Sequence, residues 1–149
     1  MDNNLIKKML TDKIYTTNYY DTFIEVADGS SVTPGVIPKS KEEKQTIAEM
    51  QFEMVSKKPY AYTSDDVLFK VFAGRNDISK PEEKAARTTF FSKGQACFRA
   101  SPLPKKHGFG VHANQDGKIA LYEIGTEAYE KLVKDSQIKK VKAMRTSKK

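Results

Sequence analysis

Several short stretches of the chain have the composition and the turn signals of β-strands. Residues 19–27 are rich in β-branched and aromatic side chains and end at a polar stretch that contains glycine. Residues 108–114 and 118–124 predict two more strands, which a polar turn ending in glycine joins as a hairpin. Residues 96–100 and 137–144 are shorter strand candidates.

Capping residues predict three helices. Thr63 and Asp66 form a capping-box pattern ahead of an apolar run, and Ser79 and Glu82 repeat that pattern. Thr126 is a suitable N-cap for a third helix, whose apolar residues recur at helical spacing.

Residues 44–57 fit both a strand and a helix. Apolar and polar residues alternate from Ala48 to Met54, as in a half-buried strand, while Ile47, Met54 and Val55 also lie on one face of a helix. We favour a helix because the segment is rich in strong helix formers. Residues 101–106 contain two prolines and are predicted to form a loop.

This order of elements predicts an α+β fold, in which helices pack on one face of a small antiparallel sheet. The length of 149 residues favours a single domain, with residues 1–16 as a possible arm and residues 145–149 as a frayed basic tail. Neither a secretory signal nor a membrane-spanning run is recognisable. The single cysteine excludes an intramolecular disulfide, which is typical of a cytoplasmic protein.

Positive charge is concentrated in two blocks. The net charge is +7, but residues 84–112 carry six basic residues and no Asp or Glu, as do residues 136–149. Basic blocks favour anionic partners, which include phosphorylated metabolites, acidic proteins and nucleic acid.

The acid-free segment, residues 84–112, is therefore the first candidate for a binding site. We expect it to bind an anionic small molecule or an acidic protein, with Lys93 and Arg99 pairing with the anion and His107 and His112 as donors at the rim. The alternative is nucleic-acid binding through residues 84–112 and 139–149, which would depend strongly on salt.

Enzymatic chemistry is a further alternative. Cys97 or a histidine could act in catalysis, although an isolated cysteine more often packs as a small hydrophobic residue. The spacing of Cys97, His107, His112 and Asp116 matches no zinc pattern, so no metal is expected. The Gly-x-Gly-x-x-Ala stretch at residues 108–113 lacks the strand and helix of a dinucleotide site, and no cofactor is expected.

Two longer stretches have a more specific pattern, residues 59–69 (PYAYTSDDVLF) and residues 90–103 (FFSKGQACFRASPL). Together with residues 20–26, 107–112 and 142–145, they resemble a family of short bacterial proteins that is catalogued only as a domain of unknown function. The resemblance covers about residues 17–145 and supports a single domain. It implies no activity, cofactor or catalytic residue.

Overall fold

The computed structural model describes residues 14–28, 34–39 and 44–145. The sheet is built from four strands: β1 Thr22–Glu25, β2 Phe109–Ala113, β3 Ile119–Glu123 and β4 Lys139–Lys142. The α-helices of the described residues are α1 Ile47–Lys57, α2 Ser64–Arg75, α3 Lys80–Phe90 and α4 Glu127–Lys134. A 3-10 turn, Phe98–Ala100, and a π-helical turn, Leu103–His107, precede β2.

Helices α2, α3 and α4 begin directly after the capping residues that the sequence predicts. The Thr63 hydroxyl accepts from Asp66 N and the Asp66 carboxylate accepts from Thr63 N, both at 3.1 Å, which closes the capping box. Glu82 likewise accepts from Ser79 N at 3.0 Å. Residues 47–57 are helical, and this confirms the helix over the strand for that segment.

The strands lie in the order β3-β2-β1-β4, and the predicted α+β class is confirmed. The antiparallel hairpin of β2 and β3 is confirmed as well, but the sheet is mixed because β4 runs parallel to β1. The reason lies in the connection after the hairpin. The chain leaves β3, crosses the sheet through α4 and adds β4 at the far edge in the same direction as β3, as helical crossovers do.

Helices cover both faces of the sheet rather than the one face expected. The larger core joins the sheet residues Ile24, Val111 and Ile119 to Val55 of α1 and Val67 of α2. On the opposite face, α4 covers a smaller core of three buried residues, Phe23, Val26 and Tyr129. Alternating side chains of a strand point to opposite faces of the sheet, and here helices cover the side chains on both faces.

Close packing explains the second glycine of the Gly-x-Gly stretch. A Cβ atom at Gly110 would lie 2.6 Å from Cζ of Phe23 and 2.9 Å from the carbonyl oxygen of Ile24. The glycine therefore allows the Phe23 ring to lie against β2.

The expected strand at residues 96–100 is wrong. Phe98, which is 1 % exposed, inserts into the core from the 3-10 turn, and Arg99 shares a backbone hydrogen bond with Met144. The predicted loop at residues 101–106 contains most of the π-helical turn, which ends at Gly108 with φ of 81°. The short apolar run from Ala96 to Phe98 is equally consistent with a turn that buries one aromatic side chain.

The chain before β1 is attached to the helices where the structure describes it. Tyr15 N donates to Phe91 O at 2.8 Å, and Asp65 accepts from Thr17 N and from the Thr16 hydroxyl, each at 2.7 Å. Residues 1–13 of the expected arm and residues 146–149 of the expected tail lie outside the described residues.

Candidate functional site

A groove between α1, α2 and the end of α3 has a volume of about 280 Å³. We call it the Arg75 groove. Its apolar wall consists of Ile47, Leu68, Val71, Phe72, Phe90 and Ala96, and its polar lining residues are Gln51, Arg75, Asn76 and Gln95. A mostly apolar concavity with a few polar groups is the usual form of a small-molecule site.

Arg75 is the charged residue of this lining. It lies in the last turn of α2, where a cation interacts favourably with the negative end of the helix dipole. Its Nη1 donates to the carbonyl oxygen of Gln45 at 2.7 Å, which orients the side chain. Among the described residues, no acid forms an ion pair with Arg75. A guanidinium has five N–H donors in a plane, so donors remain for an anion.

Gln51 is a buried polar residue in the wall of the groove. It is 3 % exposed, and its Oε1 accepts from the Ser101 hydroxyl at 2.6 Å. This bond fixes the orientation of the amide and leaves the two donors of its nitrogen for other partners. At the rim, Nε2 of Gln95 donates to the carbonyl oxygen of Phe90 at 2.7 Å, which holds the turn after α3 against the helix.

A second groove, of about 350 Å³, shares Ile47 and Arg75 with the first. Its lining includes Lys44 and the first residues of α1, and among the described residues no acid lines either groove. Arg75 therefore lies between these two concave surfaces.

Lys93 and Arg99, the expected charge-pairing residues, lie in different turns. Lys93 is exposed in the turn after α3. Arg99 lies in the 3-10 turn, where its Nε donates to the carbonyl oxygen of Lys142 at 2.6 Å. The same guanidinium approaches the Tyr19 hydroxyl, and its charge lowers the pKa of Tyr19, opposing the larger effect of burial. Arg99 is thus held by neutral groups.

The two histidines contact different parts of the molecule. Nδ1 of His107 lies 3.0 Å from the carbonyl oxygen of Val36, and His107 lines a shallow groove with residues 35–39. His112 lies on β2, where its Nδ1 is 2.7 Å from the Tyr60 hydroxyl. No neighbour is shared between Arg99, His107 and His112 in these contacts. Their joint action on one ligand stays a prediction.

Cys97 is partly buried, and its Sγ lies 3.4 Å from the Tyr19 hydroxyl. Burial and this contact both raise the pKa of Tyr19, so its hydroxyl stays protonated at neutral pH. Within the described part of the chain, no three His, Cys, Asp or Glu side chains come together as a metal site. No described helix combines the length and the apolar character needed to cross a membrane.

Arg75 is a site residue that sequence reasoning missed. It belongs to residues 1–83, where acidic residues outnumber basic ones, so the charge distribution directs attention away from it. The acid-free segment does contribute to the groove, through Phe90, Gln95 and Ala96. Its contribution is the wall of the groove, whereas the cation comes from α2.

Comparison with protein-family profiles identifies the family of the chain. The profile of a family described as a family of unknown function, DUF6157, matches residues 14–149. The chain belongs to this family. The DUF6157 match includes every helix and strand described above, so the Arg75 groove is built wholly from matched residues. No curated protein and no solved structure matches the chain.

Proposed function

We propose that this protein binds a small anionic molecule, and that the anion is a carboxylate on a compact apolar body held in the Arg75 groove. The observation that carries the proposal is Arg75 itself, a half-buried cation without an acidic partner among the described residues, at the edge of an apolar concavity. A cation in such a position gains most from an anion brought by a ligand.

The shape of the groove supports a carboxylate in particular. A planar guanidinium binds a carboxylate through two parallel hydrogen bonds. The bond from Arg75 to the carbonyl oxygen of Gln45 orients the guanidinium and uses one of its five N–H donors, so a parallel pair remains for a carboxylate. The volume of about 280 Å³ is just below the usual range of ligand pockets, which starts at about 300 Å³, so the groove fits a compact ligand. The rings of Phe72 and Phe90, with centroids 4.7 Å apart and planes inclined by 40°, offer an apolar surface to the body of the ligand.

The test is a thermal-shift screen at constant ionic strength. Benzoate, phenylacetate, hexanoate and octanoate are compared with their uncharged amides and with inorganic phosphate. A ligand that binds only the folded protein, at 100 times its Kd, adds about 2.7 kcal/mol of stability. For a domain of this size, that is a rise in Tm of roughly 5–10 °C.

Three variants locate the site. Arg75→Gln should abolish the rise in Tm, and Arg75→Lys should retain only part of it because a lysine lacks the two parallel donors. Lys93→Gln is the matched control, since it removes one positive charge from an exposed position outside the groove. Equal stabilisation of the wild type and Arg75→Gln would overturn the proposal. If the rise in Tm is lost only in Arg99→Gln, the binding site lies at Lys93 and Arg99 instead.

Nucleic-acid binding is the alternative that follows from the two basic blocks. Several of these cations are engaged within the protein, which weakens this alternative. Lys142 Nζ lies 2.8 Å from Asp28 and 3.8 Å from Glu25, and Lys140 Nζ donates to the carbonyl oxygens of Asp135 and Ile138. A fluorescence anisotropy titration at low and physiological salt tests it. Tight binding that falls steeply with salt would favour it.

A cytoplasmic location is part of the proposal. It is supported by the single cysteine, which has no disulfide partner in the chain. Fractionation of cells that express the tagged full-length chain tests it, and recovery in a membrane or extracellular fraction would contradict it.

A further inference from the structure

Three polar aromatic side chains form a hydrogen-bonded chain on the α4 face of the sheet. The Tyr60 hydroxyl lies 2.7 Å from Nδ1 of His112 and 2.7 Å from the Tyr122 hydroxyl. The ring of His112 also packs edge-on against both tyrosine rings. All three residues are partly buried.

Tyr60 reaches this chain from a strained backbone. Its φ of 60° lies in the left-handed region, which a bulky residue adopts at a cost of about 1–3 kcal/mol unless its surroundings hold it there. Two backbone hydrogen bonds hold residues 58–63 on the outer edge of β3. Tyr60 N donates to Ile119 O, and Ile119 N donates to Tyr62 O, both at 2.8 Å.

The surroundings of His112 favour its neutral form. Burial lowers the pKa of His112 below 6.5, while the charges of Asp21, before β1, and Asp135, after α4, oppose that effect. Tyr60 and Tyr122 face the imidazole from the loop and from β3, and burial strongly raises the pKa of Tyr60. In β4, Lys140 is next to Phe23, the register partner of His112, but its Nζ is engaged with carbonyl oxygens.

We propose that His112 acts as a proton-sensitive latch that releases residues 58–63 from the edge of β3 when the imidazole is protonated. The hydrogen-bond count supports it. With neutral His112 as acceptor, Tyr60 donates to Nδ1 and Tyr122 donates to Tyr60, so each of the two hydrogen bonds uses one proton. Protonation of His112 at Nδ1 adds a third donor to these two hydrogen bonds. One O–H must then turn away, and a partly buried cation must be hydrated.

The test is hydrogen–deuterium exchange at pH 7.5 and pH 5.5, corrected for the intrinsic rate. In the wild type, the amides of Tyr60 and Ile119 should exchange faster at pH 5.5, by between about twofold and tenfold. The upper limit follows from the ordinary histidine pKa of about 6.5 in the open state, since each pH unit below it changes the opening equilibrium at most tenfold.

The chain has only two histidines, and this supplies the control. His112→Gln should remove the pH dependence, whereas His107→Gln should retain it. Tyr60→Phe removes both hydroxyl links and should raise exchange at pH 7.5 to at least the wild-type value at pH 5.5.

Equal protection of the wild type at both pH values would overturn the proposal, and so would loss of the pH dependence in His107→Gln. If His112→Gln does not fold, an NMR titration of the wild-type imidazole decides. A His112 pKa at or above 6.5 in the folded protein would then refute the latch. None of these outcomes depends on the Arg75 groove, because no residue of the latch lines it.

Discussion

Gly110→Ala tests whether the Phe23 ring packs as closely against β2 as the structure indicates. A Cβ atom at this position would lie 2.6 Å and 2.8 Å from the Phe23 ring and 2.9 Å from Ile24 O. Phe23 is 0 % exposed, so its ring has no open space to move into. The carbonyl oxygen belongs to β1 and moves only with the strand.

The expected cost follows from overpacking. Extra carbon atoms in a well-packed core cost typically about 1–3 kcal/mol, and contact with a backbone atom favours the upper half of that range. A loss of about 2 kcal/mol lowers Tm by roughly 4–8 °C for a domain of this size. Urea unfolding followed by circular dichroism measures the free energy of unfolding, and the m-value should stay unchanged.

Gly94→Ala is the matched control. Nothing lies within 4 Å of a Cβ atom at Gly94, and its φ is not in the left-handed region. Removing chain entropy from the unfolded state should leave this variant neutral or more stable by about 0.4–1 kcal/mol. A double variant, Gly110→Ala with Phe23→Leu, should lose less stability than the sum of the two single variants. The reason is that Gly110→Ala creates a close contact with the Phe23 ring and Phe23→Leu removes that ring. The reasoning is refuted if Gly110→Ala unfolds at the same urea concentration as Gly94→Ala.

Three further predictions concern single side chains. Because burial lowers the pKa of His112, the unfolded chain binds a proton that the folded protein does not, so the free energy of unfolding should fall as pH drops below about 6.5. Urea titrations of the wild type and His112→Gln at pH 7.5 and 5.5 check this, and equal slopes for both proteins would contradict it. Tyr129→Phe removes the hydroxyl that accepts from Val26 N at 2.8 Å and should cost about 1–3 kcal/mol, as a buried donor is left unpaired; unchanged thermal unfolding would contradict this. Asp65→Asn weakens the charge-assisted bonds to Thr16 and Thr17 and should speed amide exchange in residues 14–17 while leaving β2 unaffected.

Helices and turns that depend on residues close together in the chain could be predicted from the sequence. The capping boxes of α2 and α3 close between residues three positions apart, and the turn between β2 and β3 takes only residues 114–118. These contacts form wherever the rest of the chain lies, so the pattern of residue types was enough to predict them. The α+β class followed from the order of these elements.

The direction of β4 and the placement of the helices depend on tertiary packing. The crossing through α4 makes β4 parallel to β1 and places a helix on each face, and neither depends on residues close in sequence. The isolated Phe98 shows the same limit, because a short apolar run does not distinguish a strand from one buried ring on a turn.

The candidate sites show why charge runs were a partial guide. The acid-free segment is a property of composition, and the structure distributes its cations over several elements with separate partners. Arg75 lines one groove with Phe90 and Gln95 only because α2 and α3 pack together, and Tyr60 contacts His112, 52 positions along the chain. Contacts between residues so far apart depend on the packing of helices and sheet, which no local pattern of residue types records.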